Sequence, residues 1–214
     1  MGFDFFPLPS PQGTAPAFRH RQRFSSPTAF YTFDLGGFFA YVVQKHLATA
    51  LHYDFRLEIA GVMPSWSIPK GPTLDPTVKR LAMPTGPHDL AYRKFEGTIE
   101  SGNYGAGTVM IWDEGTYTPE VEIRKGVREL VKGREEAAET AEAGLRDGNL
   151  KFTLYGKKLR GSFALVRTKG LGGAREAWLL IKHKDELCVA RYDAKDYGLS
   201  AATNRSLDQI ARGS

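Results

Sequence analysis

The chain has 214 residues, of which 42% are hydrophobic and 25% are charged, and its formal net charge is +5. This composition excludes wholesale disorder, and the length is sufficient for one large domain with a buried core. The single cysteine, Cys188, excludes a disulfide framework and a multi-cysteine zinc site. With neither a secretory signal nor a membrane-spanning stretch, we expect a cytoplasmic protein.

Residues 1–37 differ in composition from the rest of the chain. Five prolines are scattered there among glycine, serine and phenylalanine, and no helical or strand period persists. Such a composition favours irregular structure. We therefore predict an irregular N-terminal arm over residues 1–37, which could be flexible, followed by one folded domain over residues 38–214.

Most of the remaining chain has the pattern of short strands separated by turns. Alternating β-branched and aromatic residues predict strands over 38–46, 51–59, 107–112, 116–123, 150–155, 161–168, 177–183 and 186–192. The tripeptide Asp113-Glu114-Gly115 between two of these segments predicts a hairpin turn.

Helical composition is confined to two places. An Ala- and Glu-rich segment over 135–146, with Gly148 as its C-cap, predicts a surface helix, and residues 206–212 predict a short helical turn. Together these elements predict a mainly-β fold. They fit either a compact antiparallel β-barrel or a β-sandwich, with one or two short surface helices.

The segment from Leu51 to Glu58 alternates strictly between apolar and polar residues. A strand places its polar residues His52, Asp54 and Arg56 on one face. Side chains two residues apart on such a face start about 7 Å apart, so those of His52 and Asp54 can converge on one ion. Arg56 lies one step further, where it can meet an anion bound to that ion.

The preceding segment offers a third metal donor. Gln44 and His46 share one strand face, and if the two strands adjoin, His46 joins His52 and Asp54. Two imidazoles and one carboxylate can hold a metal ion and leave positions for water and substrate. A half-exposed strand without any site would show the same alternation, and on pattern alone that alternative stays open.

Three further residues could contact a phosphate. Lys70 lies in a loop stiffened by Pro69, Gly71 and Pro72, where its ammonium group can neutralise an anion. His88 and Tyr92 lie four residues apart in a loop-like stretch. Taken singly, all three are typical of solvated surface residues.

The motifs together resemble the 3′-phosphoesterase domain of bacterial DNA ligase D, which also occurs as stand-alone bacterial and archaeal proteins. The resemblance extends over residues 42–210, and the order of the motifs makes it far more specific than any one of them. The motifs are V-V-Q-K-H (42–46), L-H-Y-D-F-R-L-E (51–58), P-K-G-P (69–72), F-E-G (95–97), Y-G-A-G (104–107), W-D (112–113), L-R-G (159–161) and W-L-L-I-K (178–182).

This resemblance implies a β-barrel enzyme that repairs DNA 3′ ends during non-homologous end joining. It implies dependence on Mn²⁺, with other divalent transition metals such as Co²⁺ as alternatives. The implied reaction removes a 3′-terminal ribonucleoside and then the 3′-phosphate, which leaves a 3′-hydroxyl. The implied partner is a primer–template 3′ end, and a separate ligase or polymerase could be another. We expect a monomer that binds no membrane.

The resemblance also implies roles for eight residues. The metal ligands would be His46, His52 and Asp54. The scissile phosphate would contact Arg56, Lys70, His88 and Tyr92, and Gln44 would support the site. All of these except Lys70 and Gln44 are expected to be catalytic.

The chain departs from the family's pattern at two points. The family's N-terminal Arg-Asp-Phe arm has its closest counterpart in residues 23–27, which contain no aspartate, and Pro87 precedes His88 where the family has a proline after the histidine. Two other function classes also stay open. One is a catalytically silent module that binds DNA ends. The other is a β-barrel oxygenase, in which His52 and Asp54 with a distant histidine would bind iron, although Arg56 and Lys70 have no function there.

Overall fold

The computed structural model describes residues 39–169 and 176–213. The strands are β1 (Phe39–Leu47), β2 (Leu51–Leu57), β3 (Val62–Ile68), β4 (Lys79–Asp89), β5 (Gly97–Ile99), β6 (Gly107–Arg124), β7 (Val127–Leu130), β8 (Asn149–Gly156), β9 (Arg160–Lys169) and β10 (Glu176–Lys182). The helices are α1 (Arg134–Asp147) and α2 (Leu207–Ala211), and 3-10 helices span Leu90–Lys94 and Ala194–Asp196. The arm predicted over residues 1–37 lies outside the described residues.

Eight of the strands close into an antiparallel barrel. They follow the order β1-β2-β3-β4-β10-β9-β8-β6, and β6 pairs again with β1 to complete the ring, while β5 and β7 pair with β6 outside it. Closure leaves the ring without a free edge. The predicted mainly-β barrel with two short helices is confirmed, and the sandwich alternative is wrong.

Aromatic side chains fill the barrel interior. The rings of Phe55 and Phe152 stack with centroids 6.0 Å apart, and those of Phe152 and Phe163 stack at 6.3 Å. Helix α1 packs against this core through Ala137 and Ala141, which are both buried. Within the described part of the chain, no helix combines the length and apolar character needed to span a membrane.

The hairpin turn predicted at residues 113–115 is wrong. Strand β6 runs straight through this tripeptide, and Gly115 pairs with Tyr41 on one side and with Gly156 on the other. A Cβ atom at Gly115 would collide with the carbonyl oxygen of Tyr155. The glycine is therefore needed for the close approach of β8, and the chain turns instead at Gly126, between β6 and β7.

The strand predicted over residues 186–192 is also wrong. This segment forms turns, in which the carboxylate of Asp185 accepts a hydrogen bond from the backbone N–H of Leu187 at 2.9 Å. The predictions also missed β3 and β4. Pro64 lies within β3, and Pro84 and Pro87 lie within β4, and proline inside a segment weakens its strand signal.

Candidate metal and phosphate site

Antiparallel pairing of β1 with β2 places the predicted metal ligands side by side. His46 lies opposite His52, and Gln44 lies opposite Asp54. Directly opposed residues project from the same face of a sheet. Since the alternate residues Val43 and Phe55 fill the barrel interior, the polar set lies on the outer wall of the barrel.

The three predicted ligands form one cluster. Their candidate ligand atoms all lie within 4.8 Å of one another. His46 Nδ1 is 3.7 Å from Asp54 Oδ2, and His52 Nε2 is 3.6 Å from Asp54 Oδ1. These separations are too long for good hydrogen bonds but short enough for the three donors to share one ion.

The state of the two imidazoles fits a metal ion at this position. His46 Nε2 is buried and has no hydrogen-bond partner among the described residues, which is costly for a polar atom left without a ligand. His52 Nδ1 lies 2.9 Å from the carbonyl oxygen of Ala50. Nδ1 must therefore carry the proton, and the lone pair of Nε2 faces Asp54. Two imidazoles and a carboxylate suit divalent transition metals as a class.

Arg56 connects the cluster of His46, His52 and Asp54 to the other predicted residues. Its side chain is 3% exposed, and each of its three nitrogens contacts a different partner. Nε donates to Gln44 Oε1 at 2.7 Å, Nη2 donates to Asp54 Oδ2 at 3.0 Å, and Nη1 lies 2.9 Å from His88 Nδ1. These bonds use three of the five N–H donors of a guanidinium group, so two are left for an anion.

The segment that contains Tyr92 and Phe95, here called the covering segment, lies over the part of the barrel wall that carries Gln44 and Arg56. Gln44 Nε2 donates to the carbonyl oxygens of Tyr92 at 3.1 Å and Phe95 at 2.9 Å. The ring of Tyr92 stacks on that of Phe95 and lies 5.2 Å from the guanidinium carbon of Arg56. Gln44 therefore fixes Tyr92 beside Arg56, which fits its predicted supporting role.

An irregularity in β4 brings His88 to the same face. Ser65 of β3 pairs with Thr85, whereas Met63 pairs with His88, so β4 contains one extra residue between these pairs. In regular register Pro87 would lie opposite Met63. Because of the extra residue, His88 takes that place on the outer wall, next to Arg56. The prediction of a loop at His88 is wrong, since this residue lies in a strand.

The surroundings set the charge states of the site. Burial raises the pKa of Asp54, but the interaction with the nearby His46 and the positive charge of Arg56 outweigh this effect, so that the net shift of the pKa is downward. Burial, together with the charge of Arg56, lowers the pKa of His88. Burial raises the pKa of Tyr92. At neutral pH, Asp54 is therefore ionised, while His88 and Tyr92 are uncharged.

The structure brings seven of the eight predicted residues into one connected set of contacts, and Lys70 is the exception. Lys70 lies in the exposed turn after β3, and no hydrogen bond or ion pair within the described residues links it to the other seven. Strand β3 ends opposite Tyr53, so this turn leaves the barrel at the end where His52 lies. The sequence predictions missed Ser65, whose Oγ lies 3.4 Å from His88 Nδ1, because no strand was predicted there.

Comparison with known proteins identifies one matching family. Residues 44–167 match the model of the DNA ligase D 3′-phosphoesterase domain. The matched range includes all eight predicted site residues.

Several curated proteins are similar to this chain over the same region. The multifunctional non-homologous end joining protein LigD of Pseudomonas aeruginosa is 46% identical over 152 residues, which are 71% of this chain and 16% of that protein. The corresponding LigD proteins of Mycobacterium tuberculosis and Mycolicibacterium smegmatis are 38% and 36% identical over 146 residues, which are 68% of this chain. The chain thus matches only about a sixth of the length of these relatives.

Proposed function

The chain belongs to the DNA ligase D 3′-phosphoesterase domain family, and from this premise we propose that it is a metal-dependent enzyme that repairs DNA 3′ ends. It would remove a 3′-terminal ribonucleoside and then the 3′-phosphate, which leaves a 3′-hydroxyl for end joining. The main support is the cluster of His46, His52 and Asp54, which is continuous with the buried guanidinium of Arg56.

The proposed cofactor is Mn²⁺, held by His46 Nε2 or Nδ1, His52 Nε2 and the carboxylate of Asp54. Bound there, it supplies a Lewis acid for a phosphoryl oxygen and lowers the pKa of a bound water. The unpartnered Nε2 of His46 supports this assignment.

Arg56 is the proposed phosphate-binding residue. Its bonds to Gln44 and Asp54 fix the plane of the guanidinium group before substrate arrives. The two remaining N–H donors can then bind phosphoryl oxygens as negative charge develops, without reorganisation. Lys70, in its exposed turn, could add a second positive charge from the His52 end of the barrel.

His88 and Tyr92, which both contact Arg56, are proposed to donate hydrogen bonds to the substrate. Because a guanidinium only donates, the His88 Nδ1 that faces Arg56 accepts, so a neutral His88 carries its proton on Nε2. That N–H can hydrogen-bond a phosphoryl or leaving oxygen. The protonated phenol of Tyr92 offers a second donor at the same place.

The decisive experiment uses two primer–template DNAs, one ending in a 3′-phosphate and one in a single 3′-ribonucleotide. Each is incubated with the protein and Mn²⁺, and the 3′ ends are analysed by electrophoresis and mass spectrometry. We expect both to be converted to 3′-hydroxyl ends, and chelation of the metal to stop the conversion. If the protein binds these DNAs but leaves their ends unchanged, it is a silent end-binding module instead.

A further inference from the structure

Tyr104 is unusual among the large hydrophobic side chains of the described residues. It is 93% exposed, whereas the next most exposed, Ile123, reaches 54%. A ring of this size gains nothing for the fold when it is left in water. Its exposure leaves the ring available for binding.

The backbone around Tyr104 presents the ring at the tip of a loop between β5 and β6. The backbone N–H of Ala106 donates to the carbonyl oxygen of Asn103 at 3.1 Å, which closes a four-residue turn. Gly105 occupies the third position of this turn with φ at +76°, as a type II turn requires. Tyr104 is thus held outward by a defined turn.

Strand pairing places this loop next to the candidate metal cluster. The loop leads into β6 at Gly107, and the following residues Thr108 and Val109 pair with Leu47 and His46. A Cβ at Gly107 would collide with the carbonyl oxygen of Leu47, so the two strands approach closely here. The loop therefore ends beside the turn that joins β1 to β2.

The same pairing brings the loop to the histidine end of the candidate site. His46, which pairs with Val109, lies opposite His52, and Asp54 and Arg56 follow along β2 on the same face. The loop that carries the exposed ring therefore lies at the end of the two strands that hold the cluster.

We propose that Tyr104 stacks on the base of the 3′-terminal nucleotide that the enzyme removes. One isolated ring at the tip of a short loop matches one unpaired base rather than a duplex, and stacking on an aromatic ring tolerates any base. The inference rests on the proposed function, since it needs the scissile phosphate to lie at Arg56.

This placement makes Tyr104 specific to one of the two reactions. During removal of a ribonucleoside, a base lies beyond the scissile phosphate and can stack on the ring. During removal of the terminal phosphate, no nucleoside lies beyond it. Tyr104 therefore contributes to the first reaction far more than to the second.

The test compares Tyr104→Ala and Tyr104→Phe with wild type on both DNAs, with Ile123→Ala as a control for the loss of an exposed hydrophobic side chain. We expect Tyr104→Ala to lower kcat/KM for ribonucleoside removal about tenfold or more. Its loss in phosphate removal should be much smaller. Tyr104→Phe should keep both activities, because stacking requires the ring and not the hydroxyl.

A DNA that ends in an abasic ribose separates stacking from other effects of the loop. Wild type should cleave this substrate more slowly than the matched ribonucleotide, and Tyr104→Ala should cleave both at similar rates. If Tyr104→Ala keeps the full preference for a base, or if Tyr104→Phe is as impaired as Tyr104→Ala, stacking by Tyr104 is refuted. A wild-type protein inactive on both DNAs would instead refute the proposed function.

Discussion

Two buried aspartates lie on the two strands that flank β1, and they differ in how fully their oxygens are used. Asp54 on β2 lies opposite Gln44, and Asp113 on β6 lies opposite Val43. Their exposures are 6% and 0%. Burial alone therefore does not distinguish the two.

The carboxylate of Asp113 is saturated with hydrogen bonds. Oδ1 accepts from the backbone N–H groups of Lys157 at 3.0 Å and Lys158 at 2.8 Å. Oδ2 accepts from the backbone N–H of Leu159 at 2.8 Å and from the hydroxyl of Tyr41 at 2.7 Å. A carboxylate has about four acceptor positions, so Asp113 ties the turn between β8 and β9 to the barrel and has none left for a ligand.

The carboxylate of Asp54 is only partly used. Its one hydrogen bond of good length comes from Arg56, and the two histidines stay at 3.6 and 3.7 Å. The pKa values differ accordingly. Burial raises the pKa of Asp113 despite its hydrogen bonds, whereas the interaction with His46 and the charge of Arg56 outweigh burial and lower the pKa of Asp54. Unused acceptor positions, rather than burial, distinguish the carboxylate of the proposed metal site from the structural one.

The largest effect is expected from Asp54→Asn. Replacement of a proposed ligand oxygen should lower activity by more than about a hundredfold and reduce bound Mn²⁺, measured by equilibrium dialysis. The protein should stay folded, because the amide oxygen can still accept the bond from Arg56. His46→Ala should have the same effect on both readouts. Full activity in either folded variant would remove that residue from the site.

Arg56→Lys should lower turnover of a 3′-phosphate primer by about a hundredfold although the charge is conserved. Lysine cannot contact Gln44, Asp54, His88 and a phosphate at once, since its ammonium group is a point charge on a flexible chain. Bound Mn²⁺ should be retained.

Arg128→Lys, at an arginine that pairs with Glu120, serves as the control. Turnover close to wild type would show that Arg56 only neutralises Asp54.

Asp113→Asn should show the opposite pattern to Asp54→Asn. The amide NH₂ cannot accept hydrogen bonds, so buried donors lose their partners and the free energy of unfolding should fall by about 3 kcal/mol. Tyr41→Phe, which removes one of these donors, should cost about 1 kcal/mol. Urea denaturation measures both values. Activity at a temperature where the variants stay folded should match wild type, and a specific loss of metal binding would contradict the structural role of Asp113.

A pH dependence of the free energy of unfolding is expected from a half-buried histidine outside the site. Burial, together with Arg128 and Lys182, lowers the pKa of His183 to about 4, below the ordinary value of about 6.5. Between these values the unfolded chain binds a proton that the folded protein does not. His183 therefore lowers the free energy of unfolding as the pH falls from about 6.5 to about 4. Below about pH 4 it lowers this free energy no further.

His183→Gln should remove this contribution while leaving activity at pH 7.5 unchanged. Denaturation curves at pH 7.5, 5.5 and 4.5 measure the difference between the variant and wild type. An equal stability difference at all three pH values would show that His183 does not titrate in this range.

The sequence by itself determined the elements with a strong local period. Alternation over residues 38–46 and 51–59 predicted β1 and β2, and with them the common face of His52, Asp54 and Arg56. The Ala-rich segment and Gly148 likewise predicted α1 and its end, where φ of Gly148 is +76°. These predictions succeeded because strand and helix periods depend on residues close together in the chain.

Only the tertiary structure decided which polar residues share the site and which stabilise the fold. The extra residue in β4 turns His88 toward Arg56, and the covering segment held by Gln44 buries a face that the alternation alone would leave exposed. Asp113 was predicted to lie in a turn, but in the structure its carboxylate binds the backbone of a different turn, more than 40 residues away in the chain. These outcomes depend on strand register and on contacts between distant segments, which no local period encodes.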